Sequence, residues 1–378
     1  MGEIIGHFQE LQDPRSAINR QHPLVSVVVI AVMAILSGAA GPTAIARWAA
    51  LKKDLLLALL DLPNGVPCKD VFRRVLMALD PAAFQACFAG WLRSLRLAAA
   101  EATEVGRPVL AVDGKTARRS HDRAKGLGAL HAVTVWASDF GLALGCLACA
   151  EKSNEITAIP ELLRLVDIEG GIVTIDAMGC QKAIAAEVIE GKADYVLGLK
   201  GNQQGLHEAV MAYVEGHSDD DFARVEAQWH LTEGEGHGRS ESRTYLHLQA
   251  PESLPGFEQW EGLRSIGVVM AESLREGKWV NETRYYISSL AVDARLFARA
   301  SRGHWGVENG CHWSLDFIYR EDESRIREAR LRQNFAWLNR LTLSLLKQHP
   351  GRQSTAMKRL SCGWSDAFML EVLTGQTL

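Results

Sequence analysis

Apolar residues recur at helical spacing through the first 98 positions, in runs at Leu24–Leu36, Leu55–Leu60 and Ala82–Leu97 broken by Gly41-Pro42, Pro63-Asn64-Gly65 and Asp80-Pro81. The pattern predicts an all-helical N-terminal domain over 1–98. After Glu101–Pro108 the period changes. Short continuous apolar runs predict strands at 109–113, 129–137 and 142–150, with a Ser138-Asp139-Phe140-Gly141 turn before the third. Three strands in a row suggest an antiparallel meander. Alternation follows: a helix at 155–166, a strand at 172–176, a helix at 180–190, a strand at 194–200 and a helix from 203. Strand-helix-strand units imply parallel neighbours, so the fold class is α/β, a mixed sheet flanked by helices. Residues 217–290 return to β character at Arg243–Leu248, Leu263–Ala271 and Glu282–Leu290 and read as an insertion. Asp293–His349 is helical again, with Leu331, Phe335, Leu338 and Leu345 spaced for a buried face. The chain has no internal repeat and no low-complexity tract.

Composition refines this reading in three places. At 378 residues the chain exceeds one ordinary core, and 47% hydrophobic with 23% charged residues reads as soluble and globular. The run Leu24–Leu36 is too short to cross a hydrocarbon layer that needs about 20 residues, so a buried helix is expected and no membrane partner. Glu3, Glu10 and Asp13 ahead of it argue against a secretory leader. The seven cysteines, an odd number without framework spacing, suggest a reducing cytoplasm. Cys146-Leu-Ala-Cys149 lies in a strand-like run without a second metal-binding pair, so its expected role is structural.

The net charge of −4 argues against indiscriminate coating of DNA, yet the charge is uneven. Residues 215–283 hold fourteen acidic and six basic side chains, a balance of −8, whereas 295–378 hold thirteen basic and eight acidic, a balance of +5. The acid is concentrated in the insertion, which leaves a basic C-terminal region able to meet phosphates.

The chemistry-bearing positions are three acids. Asp113 and Asp176 end the apolar runs Val109–Val112 and Ile172–Ile175, and Glu308 lies far downstream in His304-Trp305-Gly306-Val307-Glu308-Asn309. Carboxylates placed where buried strands meet loops are held rigidly yet stay open to solvent, as a hard Mg²⁺ ion and its waters require. An aspartate after a strand also serves as a turn or helix cap, and a glutamate on a helix is ordinarily a solvated side chain. His304, Glu308 and His312 are spaced i, i+4 and i+8, a set able in principle to ligate zinc, although zinc would leave Asp113 and Asp176 unexplained.

An ordered set of motifs runs through the chain: Leu110-Ala-Val-Asp-Gly-Lys115, Glu151-Lys-Ser-Asn-Glu-Ile156, Thr174-Ile-Asp-Ala-Met-Gly-Cys-Gln181, Asp194-Tyr-Val-Leu-Gly-Leu-Lys-Gly-Asn-Gln203, His237-Gly-Arg239, Arg284-Tyr-Tyr-Ile-Ser-Ser-Leu290 and His304–Asp316, with Asp13-Pro-Arg15 near the start. In this set the chain resembles the H-repeat-associated bacterial insertion-sequence transposases over nearly its whole length. The resemblance implies an RNase H-like catalytic core of the DDE type at 105–350. Its five-stranded mixed sheet would have the first and fourth strands side by side, with the β-rich acidic insertion at 217–290 before the last catalytic helix and a C-terminal tail at 351–378. Asp113, Asp176 and Glu308 are then the expected catalytic and metal-binding triad. Asp113 would bridge two Mg²⁺ or Mn²⁺ ions, with Asp176 on one and Glu308 on the other. Water attack at a transposon end would leave a 3′-OH that attacks target DNA in the same site.

The partners so implied are double-stranded DNA, both terminal inverted repeats and target, and a second copy of the chain in a paired-end complex in a bacterial, nucleoid-associated setting. Lys115, Lys200, Asn202, Arg302, His304 and His312 are candidate DNA contacts, although each lysine can equally be a solvated turn residue. Related transposases carry a Tyr, Arg, Glu, Lys signature where this chain has Ser301, His304, Glu308 and Leu315, so hairpin-forming details tied to that signature do not carry over. Trp229, Trp260 and Trp279 lie in the insertion, where core packing is expected ahead of base stacking. Two other functions fit the same residues: a transposase-derived DNA-binding protein without chemistry, and an RNase H-like nuclease without strand transfer.

Overall fold

The computed structural model describes residues 6–8, 11–103, 106–122, 124, 126–149, 155–236, 239–275 and 278–375. The Glu151–Asn154 and His237–Gly238 portions of the motifs lie outside the described residues. The helices of the N-terminal region are α1 (Leu24–Leu36), α2 (Pro42–Leu51), α3 (Lys53–Leu59), α4 (Lys69–Ala78) and α5 (Pro81–Thr103). Then come β1 (Val109–Ala117), β2 (Leu130–Ala137), β3 (Leu142–Cys149), α6 (Glu155–Leu165), β4 (Ile172–Ile175), α7 (Lys182–Glu190), β5 (Asp194–Leu199) and α8 (Gln204–Ser218). The segment that read as an insertion forms β6 (Ala227–Gly236), β7 (Arg239–Gln249), β8 (Ser265–Arg275) and β9 (Lys278–Ser288). Last are α9 (Ala294–Gly306), a π-helical segment Val307–His312, α10 (Trp313–Phe317), α11 (Ala329–Gln348), α12 (Thr355–Trp364) and α13 (Asp366–Thr374).

The strand order is β3-β2-β1-β4-β5-β9-β8-β7-β6. The sheet is mixed, as expected, but has nine strands where five were expected, because β9 pairs antiparallel with β5 and carries the other three strands into the same sheet. One of these four strands, β6, has no signal in the hydrophobic pattern. Its sequence AQWHLTEGEG is polar, as suits an edge strand whose pairing is supplied by β7 alone.

The chain divides into two compact units: Met1–Glu104 with Gly114–Asn154 and Glu308–Leu378, and Val105–Asp113 with Glu155–Val307. In the second unit, β1 and β4 run parallel with Val109 opposite Ile172 and Val112 opposite Ile175, and β4 runs parallel to β5. Its core gathers Val109, Ile172, Val196, Tyr245, Val269 and Phe297. Fully burying a ring such as Phe297 contributes roughly 1.5–3 kcal/mol. The Phe297 ring lies where a side chain at position 267 would be, so β8 must carry Gly267 there. His247 of β7 stacks on the same ring, with centroids 5.0 Å apart.

In the first unit, α11 is the central helix and is buried on nearly all sides, from Leu331 to Leu346. Asn334 donates its side-chain amide to the carbonyls of Leu76 and Leu79 at the end of α4, and Trp337 meets Phe88 of α5 edge to face. The N-terminal helices thus share a core with α11. Every residue of α1 except Val25 is buried, as its apolar run predicts, and no helix among the described residues is long and apolar enough to cross a membrane. The segment beyond 350, read from sequence as a tail, folds as α12 and α13. Lys52 of α2 reaches Asp366 at 2.7 Å. No disulfide joins the seven cysteines among the described residues, and Cys146 and Cys149 are buried in β3. Of the three insertion tryptophans Trp260 is buried, Trp229 is 47% exposed but packs edge to face on the buried Phe222, and Trp279 is 63% exposed.

His247 is a buried histidine with its tautomer assigned by its neighbours. The Asp293 N–H donates to Nδ1 at 2.9 Å, which makes Nδ1 the acceptor and leaves the proton on Nε2, 2.8 Å from Ser265 Oγ. Ser265 in turn donates to the Leu290 carbonyl. Burial pushes His247 down from 6.5 to about 4. The neutral ring therefore stabilises the fold above pH 6.5, and this contribution is lost as pH falls toward 4. Between pH 7 and pH 5 the expected loss from this group is about 2 kcal/mol. Urea denaturation at both values, beside His247→Asn, tests this; the variant should lose that share of the pH dependence, and an unchanged profile would reject the assignment.

Candidate active site

Two of the expected acids come together through the backbone alone. The residues following the last β1–β4 pair, Val112 and Ile175, are Asp113 and Asp176. Parallel neighbours lie about 4.8 Å apart and side chains alternate, so both carboxylates project from the same face as Ala111 and Thr174. Asp113 is half-buried and lies inside β1, which continues to Ala117, so the alternative of a simple turn cap does not apply to it. Asp176 does cap: its Oδ1 accepts from the backbone N–H groups of Met178 and Gly179 at 3.0 and 3.3 Å, which fixes the carboxylate while leaving the residue exposed. Cys180, four residues on, is pushed up to about 12 by burial with the Asp176 charge adding to it, so this thiol is inert.

α9 covers the same face. Val109 packs where a side chain on residue 303 would be, so only glycine lets the helix approach this closely. The approach brings His304 Nδ1 to 3.2 Å from Thr174 Oγ1. Burial lowers the pKa of His304 while the negative charge of Asp176 pulls it back up, which places the ring within electrostatic reach of that carboxylate. Trp305 is covered by the Arg284 guanidinium, 4.7 Å from the ring centroid. Lys200 is exposed just after β5, the strand beside β4, and Asn202 donates its side-chain amide at 2.5 Å to the carbonyl of Ala177, the residue after Asp176. Asp113, Asp176, His304 and Asn202 thus surround one end of the paired strands.

Glu308 belongs to the other unit. It is exposed and sits in a π-helical turn with His312, where an α-helix was expected. π-turns change the angular spacing of side chains and recur at functional positions. The i, i+4, i+8 alignment of His304, Glu308 and His312 therefore does not hold, and among the described residues no three His, Cys, Asp or Glu groups are close enough to hold a metal ion by themselves. A hard divalent ion that keeps waters and takes phosphate oxygens fits the Asp113–Asp176 pair as donors, since it does not require a cage made only of protein.

Lys115 has a different occupation from the open phosphate contact expected of it. It is buried, with its ammonium 2.6 Å from Asp316, 3.4 Å from Asp322 and 3.7 Å from Glu321. Glu321 also pairs at 3.1 Å with Arg340 of α11, whose Nε donates to Thr134 of β2. The network ties the end of β1 to the chain that follows α10. Removing one partner of a buried pair leaves the other uncompensated, so Glu321→Gln should cost about 3–5 kcal/mol. Asp316→Asn, at the exposed end, should cost under about 1 kcal/mol. Urea unfolding of the two variants checks the order, and equal losses would reject the network.

Sequence reasoning did not identify Thr174 or the Arg284–Trp305 contact, both of which depend on long-range packing. It took Arg302 as a single residue, although Arg295, Arg299 and Arg302 at spacings of four and three already mark one helix face.

Comparison with known proteins shows the family of the chain. Residues 104–345 match the family model described as "Transposase DDE domain", and residues 5–92 match the one described as "DDE_Tnp_1-associated". The chain is 34% identical over 351 residues to "H repeat-associated putative transposase YhhI" of Escherichia coli (strain K12), covering 91% of this chain and 90% of the relative. "Putative protein YbfL" of the same strain is 34% identical with the same coverage. "Putative transposase YncI" of Escherichia coli O157:H7 is 35% identical over 348 residues, 91% of this chain and 87% of the relative. With the RNase H-like core that this domain implies, the chain belongs to the DDE transposase family that includes the H repeat-associated proteins.

Proposed function

We propose that the chain is the transposase of an insertion sequence, cutting at the ends of its element and joining the resulting 3′-OH to target DNA. The observation that carries this reading is the adjacent placement of Asp113 and Asp176 on β1 and β4, within a domain that matches the DDE family. Asp113, Asp176 and Glu308 would hold divalent ions, Mg²⁺ or Mn²⁺ and two in number. When bound, such ions activate the attacking oxygen and stabilise the departing one during in-line displacement at phosphorus.

The chain's own groups have separate tasks. The bonds from Met178 and Gly179 orient the Asp176 carboxylate before any ligand arrives. The contact between Thr174 Oγ1 and His304 Nδ1 orients the imidazole, and the ring nitrogen it leaves open can meet a phosphate oxygen beside the acids. Lys200 and Arg302 supply cations that hold the DNA backbone without reading bases. The N-terminal helical region is the candidate for recognising terminal repeats or for association. Because it shares a core with α11, its role is to be tested by surface substitutions and not by truncation. Joining two ends calls for two copies of the chain at the moment of transfer, and the setting would be the nucleoid of a bacterial cytoplasm.

Asp113→Asn, Asp176→Asn and Glu308→Gln should each reduce cleavage of duplex carrying the element's terminal repeats by at least about a hundredfold, the scale of one electrostatic group acting on a transition state. Folding and end binding should persist. Any of the three that retains substantial cleavage is not part of the triad. Cleavage should require Mg²⁺ or Mn²⁺ and be suppressed when Ca²⁺ replaces them, because Ca²⁺ accepts looser geometry; activity in chelator would overturn the reading.

A further inference from the structure

The arginines of α9 open a second question about DNA, because they face the segment of the chain that carries the most acid. Arg295, Arg299 and Arg302 form one stripe on α9, and Arg243 of β7 faces them across a cleft of about 360 Å³. The lining also holds Glu233 and Glu241, so four arginines meet two carboxylates and the cleft is cationic although β6–β9 as a segment is acidic. The two acids do not neutralise it. Glu241 pairs with Arg243 and lies 4.0 Å from Arg302, whereas Arg295 forms no ion pair among the described residues. Arg299 donates through Nη2 to the Arg107 carbonyl, yet its Nε–H is buried without a hydrogen-bond partner. Arg299 lines the cleft with this N–H unpaired, so its guanidinium has donor capacity that the protein does not use.

We infer that this cleft seats DNA backbone phosphate, a second contact beyond the carboxylates, on the reading that the chain acts on DNA. α9 supplies the geometry. Arg295 and His304 are nine positions apart, about 13 Å along the helix axis. At 3.4 Å per nucleotide of one strand, the cleft would hold phosphates roughly four nucleotides from the His304 end, where Thr174 and Asp176 lie. Glu241 bridges Arg243 and Arg302 in the absence of DNA and gives way as phosphate takes its place. The acidic exterior of β6–β9 then disfavours approach of duplex along that segment.

The test is salt-dependent binding of the full chain to a random-sequence DNA duplex, read by fluorescence anisotropy, with thermal unfolding as the folding control. Arg295→Gln and Arg302→Gln, both at exposed positions, should each lower the slope of log affinity against log salt by about 0.9 and weaken binding roughly eightfold at 0.1 M salt. Arg302→Lys, which keeps the charge, should restore most of the loss. Glu241→Gln should tighten binding. If the wild type binds and cleaves DNA while the arginine variants match it in affinity and slope, the cleft is only a structural ion network, and the inference falls together with the Arg302 contact while the proposed activity stands. Weaker binding by Glu241→Gln, or losses confined to single-stranded DNA, would also overturn it. A wild type that neither binds nor cleaves DNA would remove this inference together with the function on which it rests.

Discussion

The parallel pairing of β1 with β4 is the constraint on which the candidate site depends. Side chains alternate with a period of two, so a slip of one residue would turn Asp113 or Asp176 to the opposite face and leave a hydrophobic residue in its place. In the observed register Val109 lies opposite Ile172 and Leu110 opposite Val173, and all four are fully buried. Parallel strands also require a long crossover. Here β2, β3 and α6 intervene in sequence between the two acids, so their proximity is a property of topology and of no local motif.

Around that pair the fold spends its buried polar groups on orientation. In the Asp113–Asp176 unit, two histidines meet opposite ends of α9. His247 receives the Asp293 N–H at the helix start, and His304 meets Thr174 near its end. Both rings are held below their ordinary pKa by burial, so each acts as a neutral hydrogen-bonding plate near neutral pH and not as a cation. The other unit solves the same problem with charge. Lys115, Glu321 and Arg340 are all buried and paired, which locks the end of β1 and the segment after α10 at the cost of desolvating three ions. Such pairs specify an arrangement more than they stabilise it, and a site that needs a particular carboxylate geometry gains from that specificity.

The strands that carry the acids were legible because buried parallel strands read as nearly continuous apolar runs, and Val109–Val112 and Ile172–Ile175, interrupted only by Thr174, are such runs. α1 was legible for the same reason. β6 was not, since an edge strand with one open side has no need of apolar residues. The attachment of β9 to β5 was hidden too: backbone pairing between Leu197 and Ile287 leaves no trace in either strand's composition. Lys115 shows a different limit. Its position after a strand end suggested a solvated cation, but three carboxylates from Asp316 to Asp322 fold back onto it, and a contact across two hundred residues is invisible to local spacing. Glu308 is singled out by family resemblance alone, and its π-turn had no signal in the sequence, because the wider turn is a response to packing and not to composition.

The distribution of charge then acquires a physical sense that net charge conceals. A chain of net charge −4 gains little from long-range attraction to a polyanion, since unlike charges beyond about 8 Å are largely screened at physiological salt. It can still hold phosphates where arginines are gathered and partly desolvated, because short-range charge-assisted hydrogen bonds survive screening. α9 is such a place: three of its arginines share one face, and near its C-terminal end the same helix sets His304 beside Thr174. A protein built this way binds random duplex weakly and binds well only where DNA can reach the helix. On the proposed function, affinity confined to the neighbourhood of the carboxylates would limit cleavage elsewhere, and the acidic β6–β9 segment would add to that restraint.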